Sequence, residues 1–167
     1  MPDSRRIKQI AFIILALIMI IGVVSFFYSP PKNINITYPA IQYKPGEPPS
    51  SAVKTTINIE GTLTNPLFHP KKFSGNIEIG TFEFTKTYKL MDIDFSKEYP
   101  SSDGDFPIFY ERVQNGTIDI KMFGRLKRNS DFEHLVIEIL KPSHLYQRIV
   151  APAEDYEAAM IIENAIE

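Results

Sequence analysis

The chain has 167 residues, 18 basic and 20 acidic, for a formal net charge of −2, and it contains neither cysteine nor tryptophan. That balance excludes a surface built to neutralise a nucleic-acid backbone. The missing cysteine excludes disulfides, a thiol nucleophile and a lipidated anchor, so stability has to come from a packed core; it also leans toward a bacterial exported domain rather than an animal secretory one.

Residues 1–9 form a short basic tail in which Arg5, Arg6 and Lys8 outweigh Asp3. The nineteen residues from Ile10 to Tyr28 carry no charge. As a helix they reach about 28 Å, close to the ~30 Å of a hydrocarbon core. Pro30 and Pro31 then oppose continuation of the helix. Residues 10–28 are therefore expected to be a transmembrane signal anchor. The basic flank keeps the N-terminus cytoplasmic, and Phe26, Phe27 and Tyr28 lie at the outer interface. A signal peptide cleaved near Ser25 is the competing reading, weakened by the lack of an A-x-A site.

Residues 29–52 read as a tether with an edge strand. Ile34, Ile36 and Tyr38 share one face, Pro39 is expected to end the strand, and the KPGEPPSSA stretch is turn-forming. Residues 53–167 read as an extracytoplasmic domain. In VKTTINIEGTL, Val53, Thr55, Ile57, Ile59, Gly61 and Leu63 share a side. Ile77 and Ile79 differ in parity from Phe82 and Phe84, which calls for a bulge or corner near Gly80 and Thr81. A second slip falls between Leu90 and Met91. The GTIDIKMFGRL stretch is expected to point Ile118, Ile120, Met122, Gly124 and Leu126 inward, with Leu135, Ile137 and Ile139 facing the core from its partner. The fold expected is an all-β two-layer sandwich, immunoglobulin-like in the broad sense. Its last sixteen residues change period to a short C-terminal helix with an Ala158, Ile162, Ala165 and Ile166 stripe, a final strand through AMII being the alternative.

Candidate chemistry is sparse. Asp92, Asp94, Asp103 and Asp105 lie in a stretch expected to be a solvated turn, the alternative being a calcium-like cation site without the spacing of the familiar calcium loop. His69, His134 and His144 lack zinc-pair spacing, and neither a serine-hydrolase elbow nor a phosphate-cradling loop is present. Arg125, Lys127 and Arg128 form the compact basic cluster, expected at a solvated hairpin tip or against an anionic lipid or wall polymer. Phe109, Phe123 and Tyr146 fall on the parity opposite to the core; burial by the second sheet or the terminal helix is the expected reading, and a partner-binding face the alternative.

Taken together these features describe a non-enzymatic, membrane-anchored interaction or accessory domain of a cell-envelope complex. Its partners are the bilayer through residues 10–28 and a membrane or envelope protein; nucleic acid and cofactors are not expected. A surface hydrolase using carboxylates of the 92–105 region and a secreted product are the alternatives.

Overall fold

Two residues fix the shape of the sheet. A computed structural model describes residues 4–27, 29–65, 70–96, 105–129, 132–140 and 146–166, and within α1 (Ser4–Phe27) and β1 (Ser29–Tyr43) some side chains are outside the described set. After β1 come β2 (Val53–Asn65), β3 (Lys72–Ile79), β4 (Lys89–Leu90), β5 (Ile93–Asp94), β6 (Phe106–Gln114), β7 (Thr117–Arg128), β8 (Leu135–Ile139), β9 (Gln147–Ala151) and α2 (Tyr156–Ile166). The described strands make one antiparallel sheet in the order β4-β6-β7-β8-β9-β1-β2-β3-β5. Its two outermost strands are joined by only Met91 and Asp92, and a chain so short spans at most about 11 Å from Leu90 to Ile93. Nine strands laid flat would separate those ends several times further. The sheet therefore has to curl into a half-barrel.

The expected two-layer sandwich is corrected accordingly: one sheet folds over on itself. Strands of both architectures bury one face, so the alternation of Ile57, Ile59, Leu63, Ile77, Ile79, Leu135, Ile137 and Ile139 serves either. The core lies inside the curl, where the Tyr110 hydroxyl on β6 donates to the Ile77 carbonyl on β3 at 2.5 Å. Phe73 meets Phe132, and Phe95 meets Phe106, at ring separations of 5.0 and 4.8 Å. The slip after Ile79 is a corner: a 3₁₀ turn at Glu83–Lys86 returns Phe82 and Phe84 to the core. Buried Thr85 holds that corner, its hydroxyl accepting from the Ile79 N–H at 2.9 Å and donating to the Phe82 carbonyl at 2.7 Å. The slip after Leu90 is the crossing between the two ends of the sheet.

Pro39 does not end β1, which pairs with β2 through Gln42. The N–H and C=O of a strand residue point to the same side. The Pro39 carbonyl accepts from Ala153, away from β2, so the missing donor falls where β2 does not need it. β1 is thus a central strand flanked by β9 and β2.

α2 covers the outer face of β8, β9 and β1, over a second small core of Ile41, Tyr43, Val136, Val150, Ala153 and Ala159. The Asp155 carboxylate accepts from the Ala158 N–H at 2.8 Å, an N-terminal cap. The buried positions are Ala159 and Glu163, with Ile162 and Ile166 half-buried, whereas Ala165 is exposed.

Among the described residues no helix is long and apolar enough to cross a membrane. The longest unbroken run of described side chains in α1 covers residues 12–24, roughly 20 Å of helix against a core of about 30 Å. Large apolar side chains between Ile10 and Val24 are exposed. The side chains of Arg6, Lys8, Phe26, Phe27 and Tyr28 lie outside the described set. The anchor expected at 10–28 is corrected on that finding. With it go the bilayer partner, the single-pass localisation, and the envelope-complex, surface-hydrolase and cleaved-signal readings built on it.

Candidate functional site

The basic cluster expected at a hairpin tip belongs instead to a charged row on the outer face of the sheet. Strand register places Arg125 on β7, Glu138 on β8, Arg148 on β9 and Tyr43 on β1 directly side by side. Arg125 pairs with Glu138 and reaches Asp105 at 3.3 Å, and Lys127 reaches Asp105 at 3.7 Å. Arg148 lies 3.3 Å from Glu138 and pairs with Glu163 of α2, which also accepts from the Tyr43 hydroxyl. Glu163 is 3% exposed and Asp105 2%. Burying such carboxylates is tolerable only with cations in contact. The space left among Asp105, Arg125, Glu138, Arg148 and Glu163 is about 10 Å³, barely that of one water. The row therefore fastens α2 to the sheet. Arg128 points the other way, its guanidinium 3.7 Å from the Phe95 ring centre and 4.8 Å from that of Phe132, closing the barrel interior. Arg125, Lys127 and Arg128 are half-buried rather than displayed to an anionic surface.

The acidic residues do not converge. Asp92 is bound by Lys72 at 2.6 Å, and that hydrogen bond holds its carboxyl below the usual range against a smaller opposing effect of burial. Asp94 accepts from the Ser96 hydroxyl and N–H at 2.7 and 3.0 Å, a local turn. Asp105 belongs to the charged row, and Asp103 lies outside the described residues, as do His69 and His144. No group of three metal-ligating side chains occurs among the described residues. An open groove of about 360 Å³ runs beside the row, lined by Lys44, Gly46, Glu47, Glu138, Tyr146 and Arg148. Its charges are matched within the chain, Lys44 to Glu47 at 2.8 Å and Arg148 to Glu138.

The aromatic candidates divide. Tyr146 is exposed on the groove, Phe109 is half-buried, and Phe123 is buried in the core at 5% exposure. Phe123 packs edge-on against Phe82, Phe84 and Tyr110, with ring centres 5.1, 5.5 and 5.8 Å apart. The cause is a bulge. Ile108 faces Gly124 and Phe109 faces Met122, so Phe123 is an extra residue on β7 and the inward parity reverses there. Gly124, Leu126 and Arg128 point inward beyond it. Ile118, Ile120 and Met122, expected inside, point out.

The consequence is a two-stranded ribbon with a greasy outer face. β6 and β7 turn through Asn115 and Gly116, both with positive φ (52° and 76°), the geometry of a tight hairpin turn. Val113, Ile118, Ile120 and Met122, with exposures of 69%, 61%, 54% and 39%, share one face of the ribbon with Glu111, which stands opposite Ile120. Met91 adds to it at the edge, its N–H donating to the Phe109 carbonyl at 2.9 Å. The opposite face is polar and clasps Tyr88: Asp119 accepts from its hydroxyl at 2.6 Å, while Arg112 and Lys121 lie 4.6 and 4.5 Å from its ring centre. Among the described residues, β8 pairs with β7 only from Gly124 to Arg128, and no strand pairs with the outer edge of β7 between Thr117 and Met122.

No protein-family model, curated protein or solved structure matches this chain.

Proposed function

We propose that this chain is a non-catalytic interaction domain whose binding element is the β6–β7 ribbon. The observation that carries the reading is the contiguous exposure of Val113, Ile118, Ile120 and Met122 on a hairpin that outruns its described neighbours in the sheet. Apolar side chains gathered on one projecting face mark an interaction surface, where scattered ones would not. The β7 edge from Thr117 to Met122, with which no described strand pairs, adds main-chain donors and acceptors to the same surface. The binding reading is further supported by the state of the carboxylates: Asp92, Asp94 and Asp105 are each engaged by a basic or local partner rather than opposed across a cleft.

The test is site-specific photo-crosslinking in cells, with a benzophenone side chain at Ile120 and, as control, at Ile161, an exposed apolar residue on α2. A discrete adduct at Ile120 and none at Ile161 is expected. Val113→Thr with Ile118→Thr should remove the adduct and leave the melting temperature within about 2 °C, since neither side chain packs on the core. No adduct of any mass at Ile120, or a loss of several degrees in the threonine variant, overturns the reading.

A further inference from the structure

We infer that α2 straps the junction between β1 and β9, so that the helix and that junction open as one unit ahead of the rest of the sheet. The inference is independent of the ribbon. On its β2 side β1 is paired from Lys32 to Gln42, whereas among the described residues its pairing with β9 covers Ile41–Tyr43 and Arg148–Val150. The Ala153 N–H donating to the Pro39 carbonyl at 2.9 Å, and the Gln42 amide donating to that of Gln147 at 3.1 Å, extend the junction slightly. α2 lies across it on the outer face. The Tyr156 ring meets that of Tyr43 on β1 edge-on at 5.2 Å, and Ala159 shares one buried cluster with Ile41 and Tyr43 of β1 and Val150 of β9. Glu163 decides the matter: it accepts from the Tyr43 hydroxyl through one oxygen and pairs with Arg148 through the other. Tyr43 and Arg148 stand directly opposite each other in the β1–β9 pairing. One buried carboxylate is thereby held from both sides of the junction.

Sharing that group couples two events. If the strands part while α2 stays docked, Glu163 keeps only one of its two partners at 3% exposure, and a buried carboxylate short of partners is costly. If α2 leaves while the strands stay paired, a junction three residues long loses the side chains packed over it and puts Ile41, Tyr43 and Val150 into water. Nor does the helix persist alone. Its 11 residues fall short of the ~12–15 at which an isolated helix is even marginal, and Ala159 and Glu163 are its buried positions. An element with so little buried apolar surface belongs to the low-stability end of a structure. Release of the strap uncovers Ile41, Tyr43, Val136 and Val150 together, an apolar strip on the outer face of β1, β8 and β9.

Residue-resolved amide hydrogen exchange reads the coupling, on the full chain in non-ionic detergent, which keeps the exposed apolar side chains of α1 from associating. Pro39 turns its carbonyl towards Ala153 and away from β2, so Ile41 turns its N–H towards β9 and Val150 answers it, while Ile36 and Tyr38 turn theirs towards β2. In low urea the amides of Ile41, Val150, Ile162 and Glu163 should exchange through one opening, with protection factors within about threefold of each other and a common urea dependence, and Ile36 and Tyr38 should be at least about tenfold better protected. Ala159→Pro breaks α2 at its middle. In that variant Ile41 and Val150 should exchange at least about tenfold faster than Ile36 and Tyr38 of the same molecule. If α2 exchanges well ahead of Ile41 and Val150 in the unaltered chain, or if Ile41 and Val150 stay as protected as Ile36 and Tyr38 in Ala159→Pro, α2 is a cover and not a strap, and the inference is overturned. Should Ala159→Pro fail to fold, the comparison within the unaltered chain decides alone.

Discussion

Replacing Phe123 by alanine measures whether β7 bulges where the structure places the extra residue. The side chain is 5% exposed and meets three aromatic rings edge-on inside the curl. Removing a buried phenyl group typically costs about 3–5 kcal/mol through lost transfer energy and the cavity left behind. Edge-to-face aromatic pairs contribute about 0.5–1.5 kcal/mol each beyond burial, which places this site in the upper half of that range, about 4 kcal/mol. In a domain of about 140 residues each kcal/mol moves the melting temperature by roughly 3–4 °C, so a fall of about 12–16 °C is expected. Urea titration of the same variant should show a lower midpoint with an unchanged slope, and Phe123→Leu should lose less than half as much. Met122→Ala, one residue away and on the outer face, should shift the midpoint by less than about 1 kcal/mol. If Phe123→Ala is near neutral while Met122→Ala is costly, the inward parity before Gly124 is the reverse of the one described. The apolar face of the ribbon would then not exist.

Arg148→Met strands the buried carboxylate of Glu163 beside Glu138 and should cost about 3–5 kcal/mol by urea titration, while Arg148→Met combined with Glu163→Leu should recover most of the loss. Gly75→Ala should be among the costly single-methyl changes, about 3 kcal/mol or more, because its Cβ would lie 2.2 Å from the Glu60 carbonyl oxygen and 2.5 Å from the Gly61 Cα, both backbone. Gly46→Ala meets open space and pays only for its φ of +86°, about 1 kcal/mol. Burial, with a smaller push from Glu78, raises the Tyr110 phenol above its ordinary value of 10.0. The unfolded chain then ionises first, so Tyr110's share of stability is complete below that value and is lost as pH rises past it. Melting temperatures should fall on an alkaline limb that Tyr110→Phe makes shallower, and absorbance at ~295 nm should show one tyrosine titrating only on unfolding.

Where a strand buries one face without a slip in parity, the sequence was enough. Ile57, Ile59 and Leu63, or Leu135, Ile137 and Ile139, alternate without interruption and are buried as their spacing requires. On β7 the same rule fails, because TIDIKM alternates equally well with its isoleucines in or out. The decision is made by one extra residue at Phe123, which no local composition signals. A bulge is a property of two strands, and its trace was present only as the parity conflict of Phe123 with Ile118 and Ile120. Pro39 was misread for a related reason: a missing donor breaks a ladder only on the side to which it points, and that side is chosen by the partners. The charged row was invisible for want of register. Arg125, Glu138 and Arg148 are separated by about ten residues each, and nothing in the GRL, IEI and QRI stretches states that they stand abreast. The apolar run at the start announces a helix, and α1 is one, but the span inferred from its length is not met among the described residues.

The position of β1 has a consequence for the order of assembly. The first of the described strands stands in the middle of the sheet, with β2 on one side and β9, the last of them, on the other. The chain therefore builds two blades, one from β1, β2, β3 and β5 and the other from β4, β6, β7, β8 and β9, whose strands pair, among the described residues, at Ile41–Tyr43 and Arg148–Val150. Until residue 151 has left the ribosome that seam stays open, and each blade carries a raw edge able to capture a neighbouring nascent chain. Contacts so distant in sequence also make closure of the seam the slow event in refolding. A stalled or truncated product ending before β9 is thus a more hazardous species than one ending after it, although the two differ by only a handful of residues.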